Sequence, residues 1–229
     1  MEKLRIIFIA ALSFCAVFAG CDDASYITDI DGNVYKTVTI GDQEWMAENL
    51  KTSTYDNGDS IPNITDDTEW SSQTEGVCCS YDNDKTNELI YGKLYNWYAA
   101  VDSRNVCPSG WHVPSDDDWI ILVDSQGGYD LAGAKLKSTG TLESFTGLWK
   151  DPNTDADNVS GFSGRPGGYR FDSGGFSFIN EMGAWRTSTM STERPERGAW
   201  SRFLNHNNTI VFRGHAGLPL GLSVRCVKD

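Results

Sequence analysis

Alternation of apolar and polar positions dominates the chain. Val34-Tyr-Lys-Thr-Val-Thr-Ile40 alternates and is rich in β-branched residues, with Asp31-Gly32 before it and Gly41-Asp42 after it as turns. Gln43 to Ala47 returns, so Tyr26 to Asn49 predicts a small antiparallel meander. Lys51 to Asn87 is polar, with turn clusters at Asp56-Asn57-Gly58-Asp59 and Asp82-Asn83-Asp84, and predicts an irregular excursion punctuated by Trp70. In Tyr91 to Val101 the residues Leu94, Trp97, Tyr98 and Val101 fall at helical spacing, and this aromatic stripe reads as core.

The central stretch Cys107 to Trp119 carries overlapping signals. Pro108-Ser109-Gly110 predicts a tight turn. Pro114 pushes Val113 out of the helical region. Ser115 then stands as N-cap, with Asp118 in the box position and Asp116 and Asp117 at the positive end of the helix dipole. Trp119, Ile120, Leu122 and Val123 give the helix an apolar face, and Gly127-Gly128 ends it. Leu131 to Lys137 is rich in helix formers and predicts a second short helix. From Thr139 the chain turns glycine-rich, and strands are predicted at Tyr169-Arg170, Phe176–Ile179, Gly183–Thr189, Ala199–Leu204, Thr209–Arg213 and Leu222–Val227. The pattern as a whole predicts an α+β protein with no internal repeat.

The N-terminus is patterned differently. Lys3 and Arg5 precede an apolar run from Ile6 to Phe18, about 13 residues and too short to span a bilayer comfortably. Phe18-Ala-Gly-Cys21 follows and resembles a lipobox, with Phe18 where Leu is usual. This predicts cleavage before Cys21 and a lipid on its sulfur, anchoring the chain to a membrane. Ordinary signal cleavage near Ala19, giving a secreted protein, is the alternative. Asp22-Asp23 resembles an outward-sorting tag, which points to the outer membrane or cell surface. The expected organisation is a signal peptide over 1–20, a short tether over 21–28 and one domain over 29–229.

Composition narrows the function. A formal charge of −13, from 32 acidic and 19 basic residues, argues against nucleic acid as partner, because a phosphate backbone needs a basic face. Hydrophobic content of 39% with eight Trp exceeds what a disordered chain carries. Of six cysteines, Cys15 leaves with the signal and Cys21 takes the lipid, so Cys78, Cys79, Cys107 and Cys226 remain. Export makes disulfides the default, and four cysteines allow three connectivities. Neighbours Cys78 and Cys79 pair only with strain, which favours Cys107–Cys226, closing a loop of about 120 residues worth roughly 4–5 kcal/mol at most. Cys78 and Cys79 are left free, paired together or redox-active.

Other chemistry is sparse. Asp151, Asn153, Asp155 and Asp157 set alternate oxygens as calcium ligands would, yet Ala156 stands where an EF-hand has glycine and Phe162 where it has glutamate. A solvated acidic loop is the competing reading. His112, His206 and His215 have no metal-ligand or HExxH spacing, and no Gly-x-Ser-x-Gly elbow occurs. No cofactor is expected. Trp185, Arg186, Trp200 and Arg202 are the candidate binding residues, since Trp offers area and Arg planar hydrogen bonding. Strand alternation places Trp185 and Arg186 on opposite faces and sets Trp200 opposite Arg202's neighbours at 201 and 203, so at most one of each set faces solvent.

Six collinear motifs carry a resemblance: Asp29 to Gly41, Trp45-Met-Ala-Glu-Asn-Leu50, Tyr91-Gly-Lys-Leu-Tyr-Asn-Trp-Tyr98, Cys107-Pro-Ser-Gly-Trp-His-Val-Pro114, Pro166-Gly-Gly-Tyr-Arg170 and Ser223-Val-Arg-Cys226. Together they resemble the Fibrobacter succinogenes major paralogous domain family from about Asp29 to Val227. That resemblance implies an exported protein, often a lipoprotein, with no settled activity. The helix start after Trp111 and the terminal Ser-Val-Arg-Cys are also similar, at fold level, to the formylglycine-generating sulfatase-modifying group. This implies a C-type-lectin-like domain with small helices around twisted, mostly antiparallel strands. An oxidase of that group needs two reactive cysteines in its C-terminal half, where this chain has Cys226 alone. The expectation is therefore a non-catalytic envelope module that binds polysaccharide or a surface partner. A structural envelope component without a defined ligand, or an oxidase relative, is the alternative.

Overall fold

A computed structural model describes residues 25–229. The signal segment 1–20 and Cys21 lie outside the described residues. Among the described residues, thirteen short strands and five α-helices make a mixed, mostly β structure. In chain order they are β1 Tyr26–Thr28, β2 Val34–Ile40, β3 Gln43–Met46, α1 Asp67–Ser71, β4 Cys78–Cys79, α2 Lys85–Tyr91, β5 Leu94–Tyr95, α3 Trp97–Ala100, β6 Trp111–His112, α4 Asp116–Ser125, α5 Ala132–Leu136, β7 Gly167–Arg170, β8 Phe176–Ile179, β9 Met182–Met190, β10 Ala199–Asn205, β11 Val211–Ala216, β12 Leu222–Ser223 and β13 Val227–Lys228. Apart from one parallel contact between Ser223 and Trp185, the ladders between named strands run antiparallel.

The strands form a sheet in the order β1-β2-β3-β13-β6, a second in the order β11-β10-β9-β12-β5-β4, and a β7-β8 hairpin. The C-terminal segment is predicted as one strand over 222–227 and is instead two. β12 enters the second sheet between β9 and β5, and β13 enters the first between β3 and β6. The backbone changes sheet across Val224–Cys226, where the carbonyls of Val224 and Cys226 accept from Leu50 and Met46. Cys107 and Cys226 are disulfide-bonded with Cα atoms 6.0 Å apart, which fastens this crossover to the turn before β6.

Local chemistry explains α4. The Ser115 hydroxyl accepts from the Asp118 amide at 3.1 Å, and the Asp118 carboxylate accepts from the Ser115 amide at 2.8 Å, a reciprocal capping box. Trp119, Leu122 and Val123 are buried, and Trp119 packs edge-on against Trp45 and Phe162, with ring centroids 5.3 and 5.6 Å away. Each such aromatic pair adds about 0.5–1.5 kcal/mol beyond area burial. The helix ends before Gly127-Gly128, and α5 forms where Leu131–Lys137 predicts it.

Three expectations are corrected. Tyr91 to Val101 is not one helix. Gly92 breaks it at φ +79°, because a side chain there would lie 2.8 Å from the Leu50 carbonyl and the Asn49 Cβ, and β5 and one turn of α3 follow. Thr209-Ile210 lies outside β11, which runs on to Ala216. Tyr26–Thr28 pairs with β2, so the sheet includes residues assigned to the tether over 21–28.

Candidate functional site

The structure buries all four residues chosen as binding candidates. Trp185, Arg186 and Arg202 have no exposed surface and Trp200 has 6%. Alternation fails as a guide here because β9 and β10 are covered on both faces. Arg186 donates to the carbonyls of Ala216, Gly217, Leu218 and Leu220 and faces no carboxylate; burial pushes its guanidinium down to about 9. Arg202 pairs with Asp116 at 2.7 Å. Trp200 lies beneath Arg213, whose guanidinium carbon is 3.3 Å from the ring centroid, and against His215 at 4.1 Å. These side chains pin backbone segments together.

Two more buried arginines act alike. Arg170 is held between the rings of Trp70 and Phe176 at 4.4 and 4.8 Å and donates to the carbonyls of Ile64, Thr65 and Gly174. Arg225 donates to the Asn49 amide oxygen at 2.8 Å and to the Phe162 carbonyl, with the Phe162 ring 4.1 Å away. Burial pushes its guanidinium well below the ordinary range.

The remaining candidates also resolve. Cys78 and Cys79 are unpaired, and their side chains enter separate core clusters, one with Tyr55 and Tyr95, the other with Trp70 and Val77. Burial pushes the thiols up to about 12 and about 11, so both stay protonated near neutrality. Asp151, Asp155 and Asp157 are exposed, while the Asn153 amide turns inward to the carbonyls of Ser138 and Gly140, each at 3.0 Å. Among the described residues no three His, Cys, Asp or Glu side chains converge as a metal site. His112 sits between Asp229 at 2.7 Å and Asp118 at 3.3 Å, and His206 contacts the Asp151 carbonyl.

A polar recess of 330 Å³ beside α2 is the best candidate site. Ser53, Asn63, Ser80, Asn83, Lys85, Glu88 and Lys93 line it. Lys93 is 5% exposed, held at the start of β5 by its amide donating to the Leu50 carbonyl at 2.9 Å. Its ammonium donates to Glu88 Oε2 at 2.8 Å, and Ser80 Oγ donates to the same oxygen at 2.6 Å. Among the described residues Glu88 is the one hydrogen-bond partner of the ammonium, so two of its N–H groups are unspent, and Lys93 and Glu88 both line the recess. Asp31 accepts from the Ser53 amide at 2.7 Å and the Thr52 hydroxyl at 3.1 Å, which fixes the backbone at Ser53, another lining residue. Two ammonium groups and one carboxylate line the recess, and the Asp31 carboxylate stands within Coulombic reach of Lys93.

Sequence reasoning missed these residues. Lys93 and Glu88 are five apart, a spacing that does not pair on a helix. The available signal was Lys93 itself, the one charged residue inside the apolar run from Tyr91 to Tyr98.

Comparison with known families matches the Fibrobacter succinogenes major domain over residues 38–228. No curated protein and no solved structure matches the chain.

Proposed function

The chain belongs to the Fibrobacter succinogenes major domain family, and from that premise we propose that it is a non-catalytic binding module of the cell envelope, with the Lys93 recess as its ligand site. A lipid on Cys21 anchors it to the membrane at the outer face, and the architecture is C-type-lectin-like. The recess carries this reading: Lys93, a residue 5% exposed whose ammonium has one carboxylate partner and two N–H groups unspent, lines a polar hollow at the small end of ligand-pocket volumes. The thiol chemistry supports a non-catalytic role. Cys226 is bonded to Cys107, and the two free thiols are buried and protonated.

A glycan array probed with the mature chain tests the binding role. Specific saccharide signals that weaken in Lys93→Met are expected; an array and a surface-protein pull-down that both stay at background would remove the reading. Intact-mass analysis of native protein checks the anchor, and an unmodified Cys21 would refute it.

A further inference from the structure

The recess has a ligand preference written in its charges, and this inference rests on the binding role above. We infer that it takes a carboxylate-bearing saccharide unit of the uronic-acid class. Lys93 Nζ already has one short partner in Glu88. An ammonium has three donors, so two remain for a ligand oxygen. Lys85, exposed at the first turn of α2, adds a second cation to the same wall. A carboxylate spanning the two makes charge-assisted hydrogen bonds on a surface that otherwise repels anions. Asp31 lies within Coulombic reach of Lys93 and offsets part of this attraction, while its Oδ2 is occupied by the Ser53 amide and the Thr52 hydroxyl.

The rest of the lining suits hydroxyls rather than a bare anion. Glu88 Oε1 accepts. The Ser53 hydroxyl and Asn63 amide both donate and accept. Asn83, also in the lining, spends an amide N–H on the Thr65 carbonyl, and its side-chain oxygen is an acceptor. A simple inorganic anion leaves these groups unused and meets the Glu88 carboxylate unfavourably. A sugar acid uses both halves: its carboxylate on Lys93 and Lys85, its ring hydroxyls on Glu88, Ser53, Asn63 and Asn83. The volume of 330 Å³ suits one such ring with room for part of a second.

Calorimetric titration of the mature protein with glucuronate, glucose and inorganic phosphate tests this. Saturable glucuronate binding is expected, with glucose and phosphate each weaker by roughly tenfold or more, one charge-assisted contact's worth. Lys93→Met should abolish binding, and Lys85→Ser, at an exposed position that cannot unfold the core, should weaken it several-fold. Lys150→Met, which breaks the exposed Lys150–Glu181 pair, should leave it unchanged. No saturable glucuronate binding, equal binding of glucose or phosphate, or binding indifferent to both Lys93→Met and Lys85→Ser overturns the inference. Any of these, alongside a positive glycan array, leaves the binding role standing; the array and pull-down both at background would sink that role instead.

Discussion

The Asn49 amide oxygen and the Arg225 guanidinium meet at 2.8 Å across 176 residues of sequence. The same oxygen accepts from the Trp185 indole at 2.9 Å, while the Asn49 amide nitrogen donates to the Tyr91 carbonyl and the Ser223 hydroxyl. One side chain thus joins the segment after β3 to the end of α2, to β9 and to the crossover between sheets. Asn49→Ala takes one acceptor from the buried Arg225, which keeps the Phe162 carbonyl, and leaves the Trp185 indole N–H without its partner, so a loss of about 2–4 kcal/mol is expected by urea denaturation. A loss under about 1 kcal/mol would show that the hub carries little of the fold.

The Cys107–Cys226 bond spans 119 residues. Constraining so long a loop in the unfolded chain gives an expected loss of about 4 kcal/mol for the Cys107→Ala, Cys226→Ala double variant. The midpoint of denaturation should fall by the same amount when the wild type is reduced. Unequal shifts would place part of the effect in packing of the sulfur atoms.

Asp116 gives the fold an acid-sensitive joint. Burial pushes its carboxyl up, but hydrogen bonds and charge from Arg213 and Arg202 outweigh this and hold it below the usual carboxylate range. A lowered folded-state value means that the stabilisation is present above the unfolded value near ~3.9 and is lost as pH falls through the folded value. Asp116→Asn should be less stable than wild type at neutral pH, because Arg202 stays buried without a counter-charge. The gap should narrow below about pH 4, read from urea midpoints across pH 2–7. A gap independent of pH would contradict the pairing.

Phe145 is 96% exposed with φ +57°, a left-handed conformation that costs a non-glycine residue about 1–2 kcal/mol. The loop holding it is closed where Gly140 and Gly147 touch; a side chain on Gly147 would lie 2.4 Å from the Thr139 carbonyl. Phe145→Gly or Phe145→Asn should therefore raise stability by about 1 kcal/mol, seen as a higher melting temperature. An unchanged or lower melting temperature would mean that the exposed ring contributes packing.

Much of the architecture could be read from residue order, and most of the site could not. β2, the β3 return and α4 announce themselves because alternation, turn residues and a capping box are local signals. The final strand misleads: Leu222 to Val227 alternates smoothly, yet Arg225 is drawn to Asn49 and Phe162, contacts made far along the chain. The same long-range capture turns Arg186 and Arg202 from surface candidates into internal ties. Asn49, Arg170, Arg225 and Cys226 all lie in the motifs that carry the family resemblance, and all hold backbone. Those motifs therefore report a shared framework. Lys93 belongs to one of them and turns toward the recess as well, which no local pattern indicates.

The placement of β12 and β13 has a consequence for assembly. Both lie inside their sheets, so β3, β9, β5 and β6 have no inner neighbour until residues 222–228 arrive. The meander β1-β2-β3 and the ladder β9-β10-β11 pair with sequence neighbours and can form early, but β6 joins the first sheet and β4-β5 joins the second only when the tail is laid between them. Protease digestion of a version stopped after Gly221 should therefore cut first around β4 to β6, where the complete chain resists.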